Sequence, residues 1–193
     1  MNFDYSEEQQ LLADSVRNFL AKNYTFEARK AILESAAGYS EQVWAAFAEM
    51  GLLGLPFAGA YGGFGGGAVD LLPVMEAIGE SLVVEPYFAT VGLGGQFVAR
   101  AGTEAQKRAV LPALVAGGLK LAFAQSERGA RYNLAHVAVR AKQSGGGYVI
   151  DGEKCVVAHG PCADKLVVSA RTSGRDTDEA GISLFLSTAT RRA

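Results

Sequence analysis

The hydrophobic period changes once along this chain, near residue 120, and that change restricts the fold more than any other feature. Before it, apolar residues recur at helical spacing. After it they fall into short β-like runs separated by glycine-rich turns. Helices first and strands afterwards, without alternation, indicate an α+β arrangement or two separate domains. No internal repeat is apparent.

The helical half carries its own start signals. Ser6 followed by Gln9 fits a capping box, in which hydroxyl and amide satisfy free backbone groups at a helix start. Leu11, Leu12, Val16, Phe19 and Leu20 would then form one buried stripe. A second amphipathic stretch begins near Ser40, with Val43, Trp44, Phe47 and Met50 apolar and Trp44 read as core. A third runs from about Asp70 through Leu71, Val74, Met75 and Ile78, stopping before Pro86. Thr103 with Gln106 gives another capping box, leading into Val110, Leu111, Leu114 and Val115. Pro112 predicts a kink or an early end there, because proline lacks the N–H that a helix interior needs.

Six β-like runs follow: Leu119 to Ala124, His136 to Ala141, Tyr148 to Asp151, Lys154 to Val157, Lys165 to Ala170 and Ile182 to Leu186. After the last, Ser187 to Ala193 hold no further element, so the sheet is expected to leave edges that another stretch of chain or another subunit completes.

Net charge is −2, from 18 basic and 20 acidic residues spread along the chain, without the basic patch of a nucleic-acid binder. The Arg191-Arg192 pair is too short for an anion-binding tail. Met1 to Tyr5 is acidic and does not read as a secretory signal, and no apolar run approaches the ~20 residues that span a bilayer. The reading is therefore no nucleic acid and no membrane. With only Cys155 and Cys162, a disulfide framework is not expected, and a reducing cytoplasm is the expected setting.

Three segments, in order, resemble acyl-CoA dehydrogenases over essentially the whole chain. The first is Gly51-Leu52-Leu53-Gly54-Leu55-Pro56, continuing to Tyr61-Gly62-Gly63-Phe64-Gly65. The second is Gly102-Thr103-Glu104-Ala105-Gln106-Lys107, with Leu111-Pro112 and Gly117. The third pairs Phe123-Ala124-Gln125-Ser126-Glu127 with Gly152-Glu153-Lys154. The resemblance implies an N-terminal all-α helical domain over residues 1–118 and an incomplete β-barrel-like middle domain over 119–193.

It also implies FAD, an acyl-CoA substrate, an electron-transferring flavoprotein as acceptor, and a homo- or hetero-oligomer of acyl-CoA dehydrogenase subunits. In such enzymes a base removes the α-proton while the β-hydrogen leaves as hydride to the flavin. Mapped here, contacts to the flavin's polar edge would fall at Phe123, Gln125 and Ser126, with a second set at Val156 and Ala158 on the strand after Lys154. Where the family continues Glu-Pro-x-x-Gly-Ser-Asp, this chain reads Glu127-Arg128-Gly129-Ala130-Arg131-Tyr132-Asn133, so Arg131 and Tyr132 stand at the substrate-side positions. Val156 and Ala158 replace a usual aromatic and a usual hydroxyl residue, and His159 a common Asn. The family's catalytic carboxylate lies in its C-terminal helical domain, to which nothing here corresponds. Besides dehydrogenation by FAD, the alternative is a non-catalytic subunit or fragment supporting an intact dehydrogenase.

Other features have plainer readings. The glycines from Gly62 to Gly67 lack the Lys-Ser/Thr of a phosphate loop and read as a connector or tight turn. Cys155, His159 and Cys162 lack a second ligand pair and read as ordinary thiols and imidazole rather than a metal site. Glu127, beside Arg128, reads as a structural or solvated ion pair rather than a general base. The apolar helix from Phe88 to Val98 packs in a core or lines an acyl pocket, and the sequence leaves both open.

Overall fold

The computed structural model describes residues 4–189; Met1 to Phe3 and the Arg191-Arg192 pair lie outside them. Six α-helices precede a five-stranded open sheet, an all-α half followed by a β half. The chain divides into two compact units: residues through Tyr87 with Val98–Leu119, and Phe88–Phe97 with the residues from Lys120 onward.

The helical unit contains α1 (Glu7–Asn23), α2 (Phe26–Glu34), α3 (Glu41–Glu49), α4 (Ala68–Glu80) and α6 (Glu104–Val115). The unit boundary falls inside α5 (Gly95–Ala101). Both capping boxes form, Ser6 with Gln9 and Thr103 with Gln106. Gln9 also donates to Asp70 at 2.8 Å, tying α1 to the first turn of α4. The α1 stripe is shifted from the sequence reading: Ala13, Val16 and Leu20 are buried, while Leu11 is exposed. Phe47 packs edge-on against Phe19 and Tyr87, each at 6.2 Å. Trp44 is core as expected, and its indole N–H is satisfied by the Gly117 carbonyl at 2.9 Å.

Two details of this half differ from expectation, and the glycine-rich connector agrees with it. α2 went unread because it buries no residue; capping by Thr25 starts it without an apolar stripe. Pro112 does not stop α6, which runs on to Val115. The glycine-rich connector is a tight, hydrogen-bonded turn: Gly65 donates to Phe57 at 2.7 Å and Gly66 to Leu55 at 2.9 Å. A Cβ on Gly63 would come within 2.1 Å of the Phe57 carbonyl, so only glycine fits.

In the second unit, β1 (Leu121–Ala124) and β4 (Lys165–Arg171) are parallel, with Leu121 beside Lys165. β5 (Ile182–Thr188) runs antiparallel along the whole of β4. The hairpin β2 (Arg140–Ser144) and β3 (Gly147–Asp151) joins at the far end of β4 through Arg140 and Arg171. Val139, Ala141 and Ala170 form a small core with Ile150 and Phe185 packed on it. Residues Phe88–Gly94 form a π-helix rather than the α-helix expected from 88 to 98. They belong with the sheet: Gly94 is pressed against Leu121, and the rings of Phe97 and Phe123 lie 4.3 Å apart.

Two expected strands are absent as such. From His136 to Ala141 only the last two residues enter β2. The backbone groups of 137–139 go elsewhere: Val137 donates to Asp176, Ala138 and Val139 donate to the Glu127 carboxylate, and Val139 accepts from Arg171. Lys154 to Val157 is not a strand either, because Val156 sits at φ 51°, which ends the extended path. Cys155 and His159 therefore share no strand face.

Candidate functional site

The chemistry-bearing residues of the second unit gather where β1 ends. Leu121 turns both its N–H and its C=O to the Thr90 hydroxyl, at 3.2 and 3.1 Å. Backbone groups alternate sides along a strand, so those of Phe123 face the same way, while Ala122 and Ala124 pair with β4. β1 thus presents Phe123 on an edge that the sheet does not use. That edge leads directly into half-buried Gln125 and exposed Ser126.

A buried ion pair secures the exit from β1. Glu127 meets Lys154 at 2.7 Å, with side chains 6% and 8% exposed. The sequence reading set Glu127 beside Arg128; its partner is in fact Lys154, 27 residues away. Arg128 instead reaches Glu153 at 3.5 Å on the open surface. Burial pushes the Glu127 carboxyl up, but hydrogen bonds from Lys154, Ala138 and Val139 outweigh it and hold it below the ordinary glutamate value. A carboxylate so held is a structural anion, not a poised base.

Lys154 in turn donates to the Gln125 carbonyl at 3.1 Å and to Ser169 on β4 at 3.0 Å. Next to it, Cys155 N–H donates to Ser126 C=O at 2.9 Å. The two expected contact sets, Phe123, Gln125 and Ser126 on one side and Val156 and Ala158 on the other, are therefore carried by neighbouring segments. Val156 is 90% exposed and left-handed. That conformation is an outlier for a β-branched side chain. Ala158 is exposed too, and the turn continues through His159 at φ 57°.

Arg131 and Tyr132 lie apart from these groups, on the loop between Glu127 and Ala138. The loop is built of successive turns, Ala130 to Glu127 and Asn133 to Ala130. Arg131 is left-handed at φ 48°, and Tyr132 is fully exposed. The base of this loop borders a cleft of ≈ 270 Å³ whose walls include Arg128, Gly129, His136, Glu153 and Cys155. Glu127, Ala138 and Val139 also line it.

Neither Cys155 nor Cys162 is in a disulfide, and no cluster of three or more His, Cys, Asp or Glu able to hold a metal ion occurs among the described residues. His159 is half-buried, and burial lowers its pKa by penalising the charged ring. No helix among the described residues is long and apolar enough to cross a membrane. Sequence reasoning missed Thr90, Lys154, Ser169 and Arg171 as organisers of this region. Lys154 alone had a signal, since it falls in a motif segment.

Comparison with known proteins bears on this arrangement. The acyl-CoA dehydrogenase N-terminal domain matches residues 6–118, and the acyl-CoA dehydrogenase middle domain matches residues 122–192. A probable acyl-CoA dehydrogenase of Bacillus subtilis, YngJ, is 31% identical over 180 residues, which is 92% of this chain and 47% of that protein. In the ChsE4-ChsE5 complex from Mycobacterium tuberculosis, a chain superposes with TM-score 0.85 at 26% identity, over 98% of this chain and 49% of that one. The FAD complex of PigA matches with TM-score 0.83 at 26% identity, over 97% and 49%. The chain spans about half the length of the curated relatives it matches.

Proposed function

We propose that this chain, which belongs to the acyl-CoA dehydrogenase family, supplies the helical domain and the flavin-side wall of an FAD-dependent enzyme that introduces an α,β double bond into an acyl-CoA thioester. The observation that carries the reading is the open edge of β1 at Phe123, held beside the 154–158 segment by the buried Lys154–Glu127 pair.

The residues present fit a flavin along that edge. Outward-facing backbone N–H and C=O groups at Phe123, with Gln125 and Ser126 following, suit the alternating donors and acceptors of its pyrimidine ring. N–H donors there stabilise negative charge that develops on reduction. FAD, when bound, would accept the β-hydrogen as hydride. Val156 would supply an apolar wall. Ala158 offers only its backbone N–H, having no hydroxyl. Arg131 would pair with a phosphate of FAD or of coenzyme A, and Tyr132 would cover the approach. The base that removes the α-proton would lie outside residues 1–193, and the electrons would pass to an electron-transferring flavoprotein. The cytoplasm is the proposed compartment, in keeping with two unbridged cysteines.

A second reading is favoured by specific positions. Val156 and Ala158 lack the aromatic and the hydroxyl, and bulky Arg131 and Tyr132 stand where a small step is usual. These suit a subunit that supports an intact dehydrogenase partner, and one structural relative is itself a complex of two differently named chains.

A visible spectrum of the natively purified protein, with its intact mass, tests both. Flavin absorbance near one per chain, with acyl-CoA oxidation by a dye acceptor, is the expected result. A colourless chain that co-purifies with a homologous flavin-bearing subunit would support the second reading. A colourless protein without such a partner would overturn both.

A further inference from the structure

We infer that Lys154 is a positioning residue: its buried ammonium sets the spacing between the two segments that carry the proposed flavin contacts. The inference rests on the flavin reading above and deepens it.

Residues 125–127 and 153–157 belong to no strand, so no ladder fixes their separation. They meet through the backbone bond from Cys155 to Ser126, at 2.9 Å, and through Lys154. The ammonium has three donors, and all three are used: the Gln125 carbonyl at 3.1 Å, Glu127 Oε1 at 2.7 Å and Ser169 Oγ at 3.0 Å. The first two acceptors lie on the segment leaving β1. The third is the nearly inaccessible hydroxyl in the middle of β4, the strand against which β1 is registered. One charge therefore references both segments to β4, the strand that pairs with β1, β2 and β5.

Glu127 extends the same reference to a third segment, since its oxygens also accept from Ala138 at 2.7 Å and Val139 at 3.2 Å. Losing the ammonium would release the Gln125 carbonyl and leave a buried carboxylate short of its counter-charge. Segments 125–127 and 153–157 would then drift relative to each other. Strain at Val156 makes that drift easier, because its left-handed backbone relaxes once the anchor at Lys154 is gone.

The test uses flavin-loaded protein in the assembly in which it is purified, comparing wild type with Lys154→Met, Lys154→Arg and Ser169→Ala. Three readouts are taken: the position and fine structure of the visible flavin bands, the FAD dissociation constant, and the flavin midpoint potential. Supporting groups one step removed from a bound metal commonly cost 10- to 100-fold in affinity when removed. For FAD, Lys154→Met is expected to weaken binding by about that range and to shift both bands and potential. Ser169→Ala, which removes one acceptor and leaves the ion pair, is expected to shift them in the same direction by less. Lys154→Arg, which keeps the charge, is expected to recover part of the loss.

A merely structural lysine would lower the melting temperature but leave bands, potential and FAD affinity of the folded fraction at wild-type values, and that result would overturn the inference. If Lys154→Met does not fold, Ser169→Ala and Lys154→Arg decide it by the same readouts. Wild-type protein that holds no flavin would overturn the functional reading and this inference together. Flavin-bearing wild type with insensitive variants would overturn the inference alone.

Discussion

Arg171 is buried to 1% exposure at the end of β4, and replacing it with leucine should be among the most damaging single changes in the second unit. Its guanidinium donates to the carbonyls of Ala135, Val137, Asp176, Asp178 and Ala180 at 2.8–3.0 Å, and to Ser173 at 3.4 Å. Its hydrogen bonds all go to carbonyl oxygens, with the Asp178 carboxylate adding a longer-range attraction, so carbonyl dipoles hold most of the charge. Each charge-assisted bond is worth roughly 1.5–3 kcal/mol. Against that stand several kcal/mol for keeping the charge out of water, and carbonyls on the exposed 173–180 loop that recover water once released. The net loss for Arg171→Leu should be about 3–5 kcal/mol, as two or three carbonyls left without a donor cost roughly 1–3 kcal/mol each.

The assay is urea unfolding followed by far-UV circular dichroism, with hydrogen exchange at Val137, Thr172 and Ser173, whose amides bond within this region. Trp44 belongs to the helical unit and reports on that unit instead. Arg171→Lys keeps the charge with three donors and should fall between leucine and wild type. A leucine variant within about 1 kcal/mol of wild type, with unchanged exchange at those amides, would refute the account of Arg171 as the organiser of the 135–137 and 172–181 segments.

Two further outcomes are expected. Val156→Gly should raise the melting temperature slightly. A left-handed L-residue costs about 1–2 kcal/mol, glycine returns roughly 0.5–1 of that through the unfolded chain, and the side chain is 90% exposed with little packing to lose; destabilisation by more than about 1 kcal/mol would show that it packs after all. The pH dependence should contain two opposed contributions. Burial raises the Glu85 carboxyl above its ordinary value, so its contribution is full below about pH 4.3 and lost as pH rises through the raised folded value. Glu127 is depressed, so its contribution is present above about pH 4.3 and lost as pH falls through the lower folded value. Denaturation midpoints across pH should therefore flatten on opposite limbs in Glu85→Gln and Glu127→Gln, and matching slopes in the two variants would contradict both assignments.

The sequence by itself determined which half of this chain is helical and which is sheet, because the period of burial is written directly in residue order. Ser6 with Gln9 and Thr103 with Gln106 cap the helices they announced, since a capping box closes within four residues and needs nothing distant. The family was equally legible, from glycine-rich segments whose spacing reflects turns such as the one at Gly63. Other features depended on contacts between residues far apart in sequence. α2 has no buried stripe to read, and His136 to Val139 has strand composition but spends its backbone groups on Glu127, Asp176 and Arg171.

The site divides the same way. Phe123, Gln125 and Ser126 were named from local motif, but the side of β1 that stays open was fixed by its pairing with β4, with Leu121 beside Lys165, 44 residues away. Glu127 was visible as a carboxylate beside an arginine, yet its charge is answered by Lys154. Hydrophobic period and capping are short-range properties that one strand of text carries. Which buried charge meets which counter-charge depends on how the chain returns on itself, and only the tertiary structure decides that.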